Sequence, residues 1–196
     1  MCDYEIESSI IKNKKGTIVC GVDEVGRGAL FGPVVAGAVI LDPEKLNYEV
    51  KDSKKLTHKK RFKLAEEIYT NARAFSIGWS WNDDIDRLNI LQATREAMKM
   101  AIRGLQIKPD YVLIDGMKPD FVDISGEGVI GGDNISLSIA AASIIAKVFR
   151  DRLVESFHQY FPKYDFGSHK GYPTKKHKSV ISLMGRTVYH RNSFKV

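Results

Sequence analysis

Acidic residues stand at places where a folded chain has little structural use for charge. Asp23 and Glu24 follow the apolar run TIVCGV, Asp115 closes the apolar run YVLI, and Asp133 lies just before SLSIAAASIIA, a stretch apolar or small on every side. Taken singly, each has an ordinary explanation. Asp23 and Glu24 could lie in a solvated loop, Asp115 could open a turn with Gly116, and Asp133 could cap a helix. One cause covers all of them, namely a divalent-metal site. Carboxylates crowded into a cleft raise one another's pKa values. A Mg²⁺ or Mn²⁺ ion, which takes hard oxygen ligands, removes that penalty. Two such ions about 4 Å apart can activate a water and stabilise the leaving oxygen of a phosphodiester. Geometry adds a condition. Adjacent residues of a regular strand face opposite sides, so Asp23 and Glu24 share a site only if the strand ends or twists there, which the glycines of VGRG permit. Asp151 is set aside. On one helix from Ile135 to Phe157 it would lie roughly 20–27 Å from Asp133, at 1.5 Å per residue, and it is assigned to an ion pair with Arg150, Arg152 or a neighbour.

The turn Gly26-Arg27-Gly28 follows the first of these apolar runs. A dinucleotide fingerprint would need GxGxxG opening a helix. Here the next glycine is Gly32, one residue too far, and a valine-rich apolar run follows. The chain contains neither GxxxxGK[ST] nor HExxH, which argues against a P-loop and against a histidine-based zinc enzyme. His169 and His177, in a lysine-rich segment, read as solvated or phosphate-facing. Glycine lets a backbone approach a ligand closely. Exposed peptide groups could then bond a ribose 2′-OH, the group by which a protein tells RNA from DNA at one site. The net charge is +6, concentrated in Lys54, Lys55, Lys59, Lys60, Arg61 and Lys63, and again in Lys170, Lys175, Lys176, His177 and Lys178. Either cluster alone reads as a solvated face. Together, at a pI of about 9.2, they favour a polyanionic partner without separating DNA, RNA and an anionic surface.

The elements that must position these groups follow from patterning. Thr17 to Val22 and Pro33 to Leu41 read as strands of a hairpin with a long glycine-containing loop. Thr57 caps a helix carrying Phe62, Ala65, Ile68, Tyr69 and Ala72 on one face. Ala74 to Trp81 alternates as a strand. Asn82 is expected to cap a helix with Asp83 and Asp84 in its first turn, and apolar residues at helical spacing continue from Ile85 to Leu105. Tyr111 to Ile114 is a short strand, Val129 and Ile130 suggest another, and Ile135 to Phe157 reads as one long helix with a buried first half. This succession predicts an α/β domain with a mixed sheet, spanning 1–196 as one unit. No apolar run reaches the roughly 18 residues of a membrane span. Met1 to Ser9 does not resemble a secretory signal. Cys2 is expected to fray with the terminus, Cys20 to be core, and the pair lacks zinc spacing, which favours a cytoplasmic protein.

In order, GVDEVGRGALFGPVVAGAV, KDSKKLT, LIDG, GGDNISLSIAAASIIAKVFRDR, HKGYPTKKH and HRNSF resemble the successive motifs of bacterial ribonuclease HII, from about Ile18 to Phe194. The resemblance implies a ribonuclease H-like fold: a mixed five-stranded sheet flanked by helices, with a helical, substrate-binding C-terminal segment from about residue 160. It implies that Asp23, Glu24, Asp115 and Asp133 hold two catalytic Mg²⁺ or Mn²⁺ ions, that Gly26, Arg27 and Gly28 grip the ribonucleotide, that Tyr172 stacks on the sugar of the following deoxynucleotide, and that Lys54 lies near the nucleic-acid backbone. The implied activity is endonucleolytic hydrolysis 5′ of ribonucleotides, in RNA/DNA hybrids and at single ribonucleotides embedded in duplex DNA, leaving 3′-OH and 5′-phosphate ends. Its implied tasks lie in DNA repair and replication. The chain ends soon after HRNSF, so no clamp-binding peptide is expected; the protein is also expected to be a monomer. GGDN and GRTVYHRNSF depart from the family's usual wording without touching a proposed ligand. Another ribonuclease H-type nuclease shares the carboxylate set. A silent nucleic-acid binder would have no need of all four acids.

Overall fold

The computed structural model describes residues 2–45 and 57–196; Lys54 and Lys55 lie outside the described residues. Two valine-rich runs form β1 (Val19–Val25) and β2 (Val34–Ile40), which pair antiparallel from Gly21↔Val39 to Val25↔Val35. The edge strand β3 (Ala74–Ser80) pairs antiparallel with β2, while β4 (Tyr111–Asp115) and β5 (Ser125–Val129) continue the other side in parallel. The sheet is therefore mixed and five-stranded, in the order β3-β2-β1-β4-β5, as expected.

The helices are α1 (Glu5–Asn13), α2 (His58–Asn71), α3 (Asn82–Leu88), α4 (Ile90–Arg103), α5 (Leu137–Ser156), α6 (Phe166–His169) and α7 (Lys175–Met184). One face of the sheet packs Cys20, Val22, Val34, Ala36 and Ala38 against Ala97, Met98 and Ala101 of α4. On the other, Val39 packs with Ala140, Ala141, Ile144 and Ile145 of α5, with Ala65 and Ile68 of α2 outside. The close seat of α5 explains two strand glycines. A Cβ at Gly21 would fall 2.1 Å from the Ser138 carbonyl carbon, and one at Gly37 would fall 2.4 Å from the Ala142 carbonyl oxygen.

Several expectations need correction. The helical pattern from Ile85 to Leu105 is two helices: Asn89 adopts φ 72°, ends α3, and caps α4 by accepting from the amides of Leu91 and Gln92. Asn82 lies inside α3, where its Nδ2 donates to the Val188 carbonyl. The last strand ends at Val129, and Ile130 is 89% exposed. The long helix begins at Leu137, capped by Ser136. Cys2 packs beside the α2–α5 cluster rather than standing free. The N-terminal segment is tied down because the Asp3 amide donates to Ile135 O and the Leu137 amide to Asp3 O. The fully buried Glu7 of α1 accepts from the Ser136 hydroxyl and from the Ser138 amide and hydroxyl, and a carboxylate suits the positive end of α5.

Candidate active site

β1 and β4 are parallel neighbours in register through Val22↔Ile114, so their next residues, Asp23 and Asp115, emerge side by side where the two strands deliver their C-terminal ends. β1 does not end between Asp23 and Glu24: Asp23 pairs with Gly37, Glu24 with Ala36 and Val25 with Val35. Of the two expected alternatives, an end of the strand and a twist, the first is thus absent, and both carboxylates border one cleft of about 440 Å³ with Asp115, Asp133, Ser143, Lys147, Tyr172 and Arg61. Asp115 Oδ1 accepts from the Gly132 amide at 2.7 Å, which fastens the end of β4 to the 3₁₀ turn Gly132–Asn134 carrying Asp133. Asp133 is buried and accepts from Asn134 Nδ2. Since Ser136 caps α5, the helix-cap explanation for Asp133 falls away.

The electrostatics are those of crowded acids. Burial, then the charge of Glu24, and more weakly that of Asp115, push the Asp23 carboxyl up to about 8, against hydrogen bonds from Ser143 and the Glu24 amide. Glu24 is also raised, chiefly by burial, and Arg27 opposes the shift through an ion pair of 3.0 Å. Among the described residues Glu24 Oε2, which is buried, has no hydrogen-bond partner, and such orphan atoms are rare without a function. Hard, anionic, incompletely bonded oxygens are the donor set a divalent Mg²⁺ or Mn²⁺ ion requires. Among the described residues no three ligating side chains are already gathered at metal-binding separation.

The other predicted residues are placed unevenly. Gly26, at φ +91°, carries the chain out of β1, and a Cβ there would fall 2.1 Å from Arg150 Nε. A Cβ on Gly28 would meet nothing within 4 Å. Neither glycine lines the cleft; the turn connects to it through the Arg27–Glu24 pair. Tyr172 does line the cleft, half-buried, with Lys147 Nζ 5.4 Å and the Arg150 guanidinium 5.2 Å from its ring centre. Asp151 pairs with Lys147 at 2.8 Å, so the neighbour, not Arg150 or Arg152, is its partner.

The histidines contradict the solvated reading. His177 is fully buried, His169 nearly so, and the two rings stack at 4.3 Å among Tyr164, Phe166 and His190. The surrounding aromatics, Phe161, Tyr164 and Phe166, were the available signal for this. Part of the second basic cluster is also engaged internally, Lys170 with Glu155 and Lys176 with Asp165. The burial of two arginines, Arg150 and Arg191, is not read from the sequence, where Arg150 figures only as a candidate partner of Asp151. A larger groove of about 790 Å³ lies beside Trp79, α3 and α4. Most of its charges pair with one another, Arg87 with Asp84 and Lys99 with Glu96, and it gathers no cluster of acids like that of the smaller cleft, so its size does not mark it as the site.

A mixed sheet in this order, with acids at the ends of adjacent central strands and helices on both faces, defines the class of ribonuclease H-like nucleases. The chain belongs to the ribonuclease HII family, whose model matches residues 20–196. It is 48% identical to ribonuclease HII of Ehrlichia chaffeensis over 199 residues, covering 99% of this chain and 94% of that protein. Against ribonuclease HII of Burkholderia pseudomallei the identity is 48% over 179 residues, covering 91% and 84%. Among solved structures, ribonuclease H2 from Pyrococcus horikoshii superposes with a TM-score of 0.75 at 28% identity, covering 90% of this chain and 93% of that one. Ribonuclease HII from Archaeoglobus fulgidus, solved in complex with PCNA, gives 0.78 at 27%, covering 91% and 96%. The protein is accordingly an enzyme, a ribonuclease H-type endonuclease acting on nucleic acid. Among the described residues no helix is long and apolar enough to cross a membrane.

Proposed function

We propose that the protein hydrolyses the phosphodiester on the 5′ side of ribonucleotides, both in RNA/DNA hybrids and at single ribonucleotides embedded in duplex DNA, leaving 3′-OH and 5′-phosphate ends. The observation that carries this reading is the convergence of Asp23, Glu24, Asp115 and Asp133 on one cleft that Tyr172 also borders. Those four carboxylates would hold two Mg²⁺ or Mn²⁺ ions; a fold neighbour, a Bst ribonuclease HIII, was solved with Mn²⁺. When bound, such ions supply Lewis acidity at the phosphoryl group and a water acidic enough to attack it. The protein's own groups do the rest. Backbone peptides of Gly26, Arg27 and Gly28 approach the ribose 2′-OH, where Gly28 leaves open space. The Tyr172 ring stacks on the next sugar, with Lys147 and Arg150 beside it. Arg61 and Lys147 at the cleft, Lys54, and the exposed Lys175 and Lys178 of the C-terminal segment (about 160–196) set the duplex in register through its phosphates. The whole chain, 1–196, works as one catalytic domain.

The test is cleavage of duplex DNA carrying one ribonucleotide, with Mg²⁺ or Mn²⁺ and with chelator. The expected result is a metal-dependent nick on the 5′ side of the ribonucleotide and none in all-DNA duplex. Equal cutting of all-DNA duplex, or no cutting with either metal, would overturn the reading.

A further inference from the structure

Arg150 and Arg191 are both 0% exposed. A buried guanidinium ordinarily faces a carboxylate, because an unpaired cation loses its hydration without compensation. Among the described residues neither arginine forms an ion pair. Their partners are peptide carbonyls. Arg150 donates from Nε to Pro33 O, from Nη1 to Lys170 O and from Nη2 to Phe31 O, each at 3.0 Å. Arg191 donates from Nε to Gly32 O at 3.0 Å and from Nη1 to Arg27 O at 2.8 Å.

All five carbonyls belong to two stretches of chain, residues 27–33 and residue 170. The first continues the Gly26–Gly28 turn, and the second precedes Tyr172. The stretches also bond each other and the segment of Arg191: the Leu30 amide donates to Gly171 O and the Arg191 amide to Leu30 O. Arg150 fills the space where Gly26 lacks a side chain and lies 5.2 Å from the Tyr172 ring centre. An apolar side chain would fill such a place at less cost to the fold. What it could not supply is a planar fork whose N–H directions fix several carbonyls at set separations.

We propose that Arg150 and Arg191 are positioning residues for ribonucleotide selection, which hold the Gly26–Gly28 turn and Tyr172 at one fixed spacing so that both read the same nucleotide step. The inference rests on the proposed function, in which the turn meets the ribose and Tyr172 the following sugar. An embedded single ribonucleotide offers only one register that satisfies both contacts. A continuous hybrid offers a 2′-OH at every RNA position, so a slackened turn still finds one.

The experiment measures kcat and KM of Arg150→Lys and Arg191→Lys on a duplex with one ribonucleotide and on a full RNA/DNA hybrid, at saturating Mn²⁺. The expected result is a fall in kcat/KM on the single ribonucleotide at least about tenfold larger than on the hybrid. It should be carried mainly by kcat, since misplacement of the reacting groups by about 1 Å costs on the order of 10²-fold. Arg191→Lys keeps the charge but gathers its donors on a single nitrogen, and it decides the matter if Arg150→Lys does not fold. Gly171→Ala is the independent variant. A Cβ there would stand 3.0 Å from Phe31 O, wedging the two stretches apart with both arginines intact, and it should shift the substrate ratio the same way. Equal losses on both substrates, in proportion to the folded fraction, would make the arginines merely structural and overturn the proposal. If the unmodified enzyme cuts neither substrate, it is the proposed function that fails.

Discussion

The carboxylate cleft and the buried layer beneath the glycine turn both enclose ionisable groups, and they treat them in opposite ways. In the cleft, Asp23 and Glu24 are raised by burial and by neighbouring acids, and Glu24 Oε2 has no hydrogen-bond partner among the described residues. In the layer, each histidine is matched, and of the two buried arginines only Arg191 Nη2 lacks a hydrogen-bond partner among the described residues. His169 Nδ1 accepts from the Gly171 amide, leaving Nε2 to donate to Tyr164 O. His190 Nδ1 accepts from the Thr187 amide, so its Nε2 donates to His177 Nε2 at 3.0 Å, and His177 Nδ1 donates to Tyr172 O. Those tautomers follow from the partners. A satisfied network specifies a shape, and an unsatisfied one of like charges waits for a ligand. The layer builds the platform under Tyr172 and the turn; the cleft is where we propose that chemistry is done.

The largest effect should come from neutralising the cleft. Asp23→Asn, Asp115→Asn and Asp133→Asn should each abolish cleavage while circular dichroism stays native. Wild-type turnover by any of them would remove that residue from the site. The glycines sharpen the boundary between the regions. Gly26→Ala places a methyl on Arg150 at a positive φ and should lower the melting temperature as well as activity. Gly28→Ala meets no atom within 4 Å beyond its chain neighbours among the described residues, so it should melt like the wild type and still lose activity; unchanged kcat/KM would move the ribose contact elsewhere.

Acid should weaken the layer and not the cleft. Burial holds His177 and His190 down at about 4, below the 6.5 of an unfolded histidine. Their contribution to stability is complete above about 6.5 and is lost as pH falls toward 4. The raised cleft carboxyls change in the opposite sense over that range. Hydrogen exchange at pH 4.5 should therefore show the Gly171 and Thr187 amides opening before those of β1. The smallest effect concerns the lysines. Replacing the exposed Lys175 or Lys178 with Ala should reduce the salt slope of duplex binding by about 0.9. Lys170→Ala, already bonded to Glu155, should reduce it less. Equal slopes would return the whole cluster to a solvated face.

Much of the cleft was legible because its signals are local. Apolar runs ending in Asp23 and Asp115 became β1 and β4, and the glycine turn between β1 and β2 lay where its composition put it. What escaped was set by distant partners or by single backbone angles. Leu88 and Leu91 keep helical spacing across Asn89, so only the positive φ of Asn89 reveals two helices. Glu7 in EIES looks like a surface acid; its burial depends on Ser136 and Ser138, 129 and 131 residues away. Arg150 and Arg191 show their charge in the sequence, but not the carbonyls that surround them. Lys54 lies outside the described residues.

The central claim is that the cleft's charges serve metal ions rather than the fold, and melting of the metal-free protein tests it most directly. Asp23 titrates near 8 when folded against about 3.9 unfolded, so its burial costs stability increasingly as pH rises between those values. At pH 8, Asp23→Asn should melt higher than the wild type by at least about 2–4 °C, the shift that 1 kcal/mol gives a chain of this size. The gain should shrink toward pH 5. Saturating Mn²⁺ should then raise the wild type and leave Asp23→Asn nearly unmoved, closing the gap. A variant that melts lower than the wild type at pH 8, or one that Mn²⁺ stabilises as much as the wild type, would contradict the account.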